Sequence, residues 1–424
     1  MRSPSPEVTL VDKSKLRDFA RNNIVTIMFI LLCAVCMVFS GYTPAYVMYE
    51  LFGRLSRNAF IVLALIIPIV AGMGINFAIT IGAMAAQIAC ILVLEWQIEG
   101  IAGFALAAAL TVPMAALFGF GIGKILNKMK GQEMIGGMIL GYFANGLYQL
   151  LCLFIFDNII PINNPNLTIK GSSGIANTMD LVKGGLANSL ENMWKLTASQ
   201  AALVFAVIIA AALILSNMRS HRKNSKSLIV KLAALAVFAI VMQLPFMVSL
   251  FSMVKIPMAT FGIVALLCVF NLVIMRTRLG QQFRAVGQNR TVANAAGIHV
   301  DKVRIIAITI STVLAGWGQL IFVQNLGAFQ TYGAHEQVGL YAGAAILVGG
   351  ASVARATNTQ AILGTILFHM LFILAPAAAK NLFGDAAIGE YFRVFICYGV
   401  IALALVMHAW SGATKKKLGA GNKA

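Results

Sequence analysis

The chain has 424 residues, of which 60% are hydrophobic and only 11% charged. An ordinary soluble domain carries about a quarter charged residues, so a water-soluble globular fold is excluded. Lys and Arg outnumber Asp and Glu by 32 to 14, a net charge of +18, but these charges sit between long apolar runs, which makes them a matter of membrane topology and not of nucleic-acid binding.

A hydrocarbon core about 30 Å thick takes about twenty apolar helical residues. After a basic segment, 1–23, that lacks a signal-peptide cleavage pattern, stretches of this kind predict twelve candidate spans. They are Ile24–Met48, Ala59–Ile75, Phe77–Leu94, Ile101–Gly123, Met134–Phe156, Ala198–Ser216, Leu232–Phe251, Ile256–Met275, Ile305–Val323, Gly339–Ala354, Thr359–Ala379 and Val394–Trp410. The expected fold is an all-α polytopic membrane protein with ten to twelve transmembrane helices, some broken or re-entrant, filling 24–410 and followed by a basic tail, 411–424.

Alternating the spans from a cytoplasmic amino terminus tests the topology, because Lys and Arg accumulate in cytoplasmic loops. The inside segments 1–23, 124–133, 217–231, 276–304 and 411–424 then hold 23 basic and 5 acidic residues, and the outside segments 7 and 9. Both termini are therefore expected in the cytoplasm.

Along the chain, the first break is Gly72-Met-Gly-Ile-Asn-Phe-Ala-Ile-Thr-Ile-Gly82. Four-residue spacing places Asn76 and Thr80 on one helical face, with Gln87 two turns on. Gly119/Gly123 and Gly137/Gly141 have the spacing of close helix packing. The loop Asp157–Thr197, rich in Asn, Gly and Pro, is the one long exterior loop, with a helix-like patch near Leu186–Leu196 and the character of a lid, a docking surface or a plain connection. The hairpin 198–251 carries a basic loop, Arg219–Lys226. The cytoplasmic stretch 276–304 reads as short helices: Gly287 ends one, Asn289 caps the next, Gly297-Ile298 stops it, and Asp301 caps the following span. A short helix between two spans is a natural element for another protein to push. A second glycine-rich break, Ala342-Gly-Ala-Ala-Ile-Leu-Val-Gly-Gly-Ala-Ser352, lies in the other half of the chain. Two such breaks point to a substrate route, since freed backbone groups must face a cavity. Asn145, Gln149, Gln319 and Asn325 are further polar residues in or beside spans.

No catalytic constellation emerges. The six cysteines lie in apolar stretches without a zinc-type spacing, no carboxylate is expected mid-span, and His369 reads as a packing residue. Gly119–Ile125 falls short of a phosphate loop because no Ser or Thr follows Lys124. The chain is expected to be no enzyme and to bind no cofactor or metal. If ATP drives it, another chain hydrolyses it. An uncharged polar path suits a neutral polyol-like or nucleoside-like solute. A secondary carrier independent of an ATPase is the alternative, weakened by the missing mid-span carboxylates.

The stretch AVGQNRTVANAAGIHVDKVRIIAITISTVLAGWGQLI, from Ala285, resembles the signature of permease subunits of bacterial ABC importers for ribose-like sugars, branched-chain amino acids and nucleosides. The likeness extends to AAILVGGASVARATNTQAILGT near Gly339–Gly364 and to PIVAGMGINFAITIG at 68–82. Where the family usually has Gly-Ile-Asp-Leu-Ser, this chain has Gly74-Ile-Asn-Phe-Ala78, so an amide and a methyl replace an acidic and a hydroxyl residue. The resemblance implies a permease working by alternating access in the bacterial inner membrane, beside a second permease subunit, cytoplasmic ABC ATPase subunits that hold the ATP and magnesium, and an external solute-binding protein. It further implies that Arg284, Gly287, Asn289, Arg290, Ala293, Ala296 and Gly297 form the segment coupled to the ATPase. Asn76, Thr80, Gly349 and Gly350 would lie beside the path, with Gln87, Asn145, Gln319 and Asn325 as further lining. Simple sugar is the first substrate class expected, nucleoside the second and branched-chain amino acid the third.

Overall fold

The computed structural model describes residues 24–129, 131–169, 173–219 and 225–421; the expected segment 1–23 and part of the loop 219–226 lie outside them. The chain is helical almost throughout. In order come α1 (Ile24–Ser40), α2 (Pro44–Ala64), the short α3 (Ile66–Val70), α4 (Ile79–Glu95), α5 (Gly100–Lys128) and α6 (Glu133–Leu150), which continues as a π-helical turn to Ile155. Then follow α7 (Ala198–Arg219), α8 (Ser225–Val241), α9 (Pro245–Leu250), α10 (Met258–Ile274), α11 (Arg278–Gln288), α12 (Arg290–Ala295), α13 (Val300–Leu326), α14 (Val338–Val348), α15 (Asn358–Phe383) and α16 (Ala386–Gly421).

Among the described residues five helical stretches are long and apolar enough to cross a membrane: Pro44–Val70, Gly100–Lys128, Glu133–Ile155, Val300–Leu326 and Asn358–Phe383. Only if the pair α10–α11, bent by 75°, were counted as one span would there be a sixth. Five shorter apolar helices accompany them. The fold is thus the expected all-α polytopic membrane protein.

Two expected boundaries move. The first candidate span, Ile24–Met48, is two helices, because Gly41 takes φ +68° and Thr43, followed by Pro44, caps a new helix by accepting from the Tyr46 N–H. The expected loop 49–58 is consequently the body of α2, and Glu50, Arg54 and Arg57 ride inside a span. At the other end α16 runs unbroken from Ala386 to Gly421, through the expected boundary at 411.

The centre of the bundle is α13, against which α2, α4 and α5 pack. Small residues allow the approach. A Cβ on Gly119 or Gly123 of α5 would come within 2.9 Å or 3.0 Å of the Thr309 or Ile305 Cα, so the spacing of those glycines serves helix packing. A second layer joins α15 to α1, α2, α14 and α16.

The described residues of the stretch 157–197 are anchored and do not hang as a free lid. Its strands β1 (Thr178–Asp180) and β2 (Lys195–Thr197) pair antiparallel with β4 (Ala328–Gln330) at the end of α13 and β3 (Lys255–Pro257) at the start of α10. The helix-like patch expected at Leu186–Leu196 is a set of turns and a 3-10 turn, Glu191–Met193.

Helix α14 has eleven residues, a length of about 16 Å at 1.5 Å per residue. That is about half of a hydrocarbon core. It is a half-helix, reached through the irregular segment 331–337, and its amino-terminal end faces a cavity.

Candidate functional site

Local chemistry positions the cavity. After α3 the chain cannot continue as a helix because Gly72 and Gly74 both take positive φ, +73° and +72°. Asn76 therefore sits in a turn, where its Oδ1 accepts from the Ala78 N–H and its Nδ2 donates to Ser311 Oγ at 3.5 Å. The helix restarts only at Ile79, so the expected common face for Asn76 and Thr80 does not exist. Asn76 is turned to α13, and Thr80 faces the cavity. Opposite, Gly137 and Gly141 let α6 lie against this turn: a Cβ on Gly141 would approach Thr80 Oγ1 to 2.9 Å.

The cavity measures about 170 Å³. Its walls come from the break and α4 (Phe77, Thr80, Met84), from α6 (Met138, Gly141, Tyr142, Asn145), from the entry to the half-helix (His335, Glu336, Gln337, Gly339, Leu340) and from Tyr398 of α16. An engineered cavity of about 150 Å³ holds one benzene, so this space suits a single small ring. The start of α14 adds the positive end of a helix dipole to its wall.

A chain of hydrogen bonds closes one side. His335 is fully buried, with its ring edge-on to Tyr148 at 4.9 Å. Its Nδ1 lies 2.9 Å from Gln87 Oε1 and its Nε2 2.9 Å from Asn145 Oδ1, while Asn145 Nδ2 donates to Glu336 Oε1 at 3.0 Å. Burial pushes the His335 imidazole down to about 4, so the ring is neutral at pH 7 and can donate through one nitrogen only. The carboxylate of Glu336 fixes the Asn145 amide, which leaves Oδ1 to accept from His335 Nε2–H. Nδ1 must then accept, and Gln87 Nε2, buried without a partner, is the donor once that amide is turned about its axis.

The stretch 157–197 holds the segment carrying these groups. Tyr332 donates from its hydroxyl to Ile175 O at 2.6 Å, Thr331 Oγ1 to Ala176 O at 2.7 Å, and the Thr331 N–H to Asn177 O at 2.7 Å. Tyr332 also borders an open polar basin of about 770 Å³, lined by Asn164, Asn166, Asn177, Asp180, Lys183 and Glu99 among others.

Of the residues expected along the path, the structure brings Thr80 and Asn145 to the cavity and ties Gln87 to it through His335. Gln319 is buried behind it, donating to Ala334 O at 3.3 Å. Asn325 is elsewhere, bonded to Glu191. The second glycine break also lies away from the cavity: a Cβ on Gly349 would strike Gln360 O at 1.9 Å, and Gly350 O accepts from Gln360 Nε2 at 2.7 Å. It is the opposite end of α14 that meets the cavity. Sequence reasoning missed His335, Glu336, Tyr142 and Tyr398, and Glu336 corrects the expectation of an uncharged lining. The pair His335-Glu336 directly before an apolar half-helix was the available signal.

The stretch 276–304 folds largely as its residues predict. Asn289 Oδ1 accepts from the N–H groups of Thr291 and Val292, starting α12. Gly297, at φ +81°, ends it: its N–H donates to Asn294 O and that of Ile298 to Ala293 O, both at 3.0 Å, a Schellman stop. Asp301 does not cap α13; His299 occupies the cap position and Asp301 sits in the first turn, where its charge meets the helix dipole. Ala293 is buried, whereas Thr291, Val292, Asn294, Ala295 and Ala296 are exposed. Arg284 bonds Met275 O. Gly287 packs on the first break, since a Cβ there would meet Val70 O at 2.1 Å. Arg290 turns inward, donating to Gly72 O at 3.0 Å and to Glu133 Oε1 at 2.8 Å.

A family model described as "Branched-chain amino acid transport system / permease component" matches residues 47–405. Over 119 residues the chain is 30% identical to the "Probable ABC transporter permease protein YphD" of Escherichia coli (strain K12), covering 28% of this chain and 35% of that protein. Over 105 residues it is 31% identical to the "Autoinducer 2 import system permease protein LsrC" of Klebsiella pneumoniae subsp. pneumoniae, covering 25% and 30%. These matches span about a third of each relative's length. No solved structure matches the chain.

Proposed function

The chain belongs to the family of branched-chain amino acid transport system permease components, and from that premise we propose that it is the non-catalytic permease subunit of an ATP-driven importer. It carries a small neutral polar solute, first of all a simple sugar, through the cavity between Thr80, Asn145 and Glu336. In this reading α12 meets a cytoplasmic ABC ATPase that supplies ATP and magnesium, an external solute-binding protein delivers to the basin beside Tyr332, and a second permease subunit completes the path. The protein lies in the bacterial inner membrane with both termini in the cytoplasm, which the basic excess in alternate loops supports.

One observation carries the solute class. The cavity offers three hydroxyls, two carboxamides and one carboxylate, with no cationic side chain among the described residues of its wall. A carboxylate accepts hydrogen bonds from hydroxyl groups and repels anions. The ring faces of Phe77, Tyr142 and Tyr398 favour nucleoside as the second reading, because a base can stack there. The chain is purified with co-expressed ATPase candidates, and retention is compared with an Asn289→Ala, Gly297→Pro variant. Retention by the parent and its loss in the variant supports the reading. A folded parent that retains no ATPase sinks it and moves an ATPase-independent carrier to first place. Labelled sugars and nucleosides are then bound to the parent and to Glu336→Gln.

A further inference from the structure

Two elements that wall the cavity lead back to one guanidinium. The first is the break: Gly72, whose carbonyl Arg290 holds at 3.0 Å, leads within a few residues to Phe77 and Thr80. The second is α6. Glu133 at its start accepts from Arg290 at 2.8 Å, and Asn145 stands twelve residues further on, about 18 Å along the same rigid helix. Arg290 itself is the first residue of α12, whose outer face is exposed.

We propose that Arg290 is the positioning residue through which α12 sets the geometry of the cavity. This rests on the reading that an ATPase acts on α12.

The charge arrangement explains why such a joint can open. Glu133 has a second partner, Arg304 of α13, and the two residues are almost wholly buried, with side-chain exposures of 8% and 1%. The Arg290 side chain is 33% exposed. A buried carboxylate stripped of its only partner is costly, but here Arg304 keeps Glu133 compensated when Arg290 withdraws. Arg290, a third exposed, meanwhile exchanges its partners for water at the surface. The Arg304 bond is the fixed part of the joint, and the Arg290 bonds are its movable part. Beside them the contact of Gly287 with Val70 and Gly72 keeps α11 on the break, so displacement of α12 pulls on Gly72 and Glu133 together.

The test uses the full chain and its ATPase in lipid nanodiscs, with Tyr142→Cys as a reporter in the cavity wall. The native cysteines are buried or half-buried. The rate of maleimide labelling at the reporter is measured with and without a non-hydrolysable ATP analogue. The reporter chain is expected to change rate at least threefold with nucleotide, and Arg290→Gln in the same background to label at one rate in both states. Arg276→Gln, an equal loss of charge at an exposed position, is expected to keep the full response, which a general effect of lost charge would not allow. A response that survives in Arg290→Gln overturns the proposal, and so does a reporter chain that ignores nucleotide. Should Arg290→Gln fail to fold, Arg290→Lys replaces it; its shorter reach to Gly72 is expected to halve the response, and a full response overturns the proposal. ATPase retention is read in the same samples. Its absence in the parent overturns the importer reading and this inference with it, whereas retention with an undiminished response in Arg290→Gln counts against Arg290 alone.

Discussion

Gly72 and Gly287 meet backbone to backbone: a Cβ placed on Gly72 would lie 2.7 Å from the Gly287 Cα. More than two hundred residues apart in sequence, they join the first break to the surface helices that follow α10. Gly72 also needs its positive φ, so no other residue type fits both its conformation and its neighbour.

Gly287→Ala is therefore expected to destabilise this junction. The new methyl group would meet Val70 O at 2.1 Å, and overpacking of this kind costs about 1–3 kcal/mol. A thermal unfolding midpoint in detergent lower by several degrees is the expected result, against no loss for Gly262→Ala, where the added Cβ meets nothing within 4 Å and alanine favours the helix.

The ends of α12 predict two smaller effects. Asn289→Ala removes an oxygen that receives two backbone N–H groups, a loss of about 1 kcal/mol. Gly297→Ala forces a Cβ into the left-handed region at about 1–2 kcal/mol. Both are expected to weaken ATPase retention about tenfold in a titration while leaving solute binding in the isolated chain unchanged.

His335 predicts a pH dependence with a definite sign. Its ordinary value of 6.5 falls to about 4 in the fold through burial. Between these values the unfolded chain takes up a proton that the folded chain refuses, so stability falls as pH drops from 6.5 towards 4 and is fully present above 6.5. The contribution is on the order of 3 kcal/mol. Unfolding midpoints at pH 7.5 and 4.5 are expected to differ less in His335→Gln than in the parent; an equal difference in both would refute the assignment.

Glu336→Gln tests the cavity chemistry. The amide keeps the shape but loses a charge-assisted acceptor, an effect of about 1–2 kcal/mol. Sugar binding is expected to weaken about tenfold, measured by equilibrium binding in detergent. Asn145→Leu is expected to cost more, because it unmakes the bonds to both Glu336 and His335.

Features governed by local or periodic rules were open to sequence reasoning. Apolar runs of bilayer length mark the spans because a hydrocarbon core admits little else, and Asn289, Gly297 and the paired glycines at 72 and 74 announce their own caps and turns, since those backbone conformations depend on neighbours a few residues away. The composition likewise excluded a soluble fold, and the order of residues from Ala285 onward carried the family resemblance. What the tertiary structure alone decided is which polar groups share a space. Thr80, Asn145 and Glu336 come from three elements, and they meet because Gly141 lets α6 close on the break while Thr331 and Tyr332 tie the half-helix entry to the stretch 157–197. The same holds for the expectations that failed. Asn76 and Thr80 part company because positive φ at Gly72 and Gly74 delays the helix to Ile79, and Gly349 and Gly350 are spent on packing against α15. Arg290, placed by the resemblance in the segment coupled to the ATPase, points inward because its guanidinium finds a carbonyl and a carboxylate supplied by residues 218 and 157 positions away. Such pairings depend on three-dimensional proximity, which no spacing along the chain encodes.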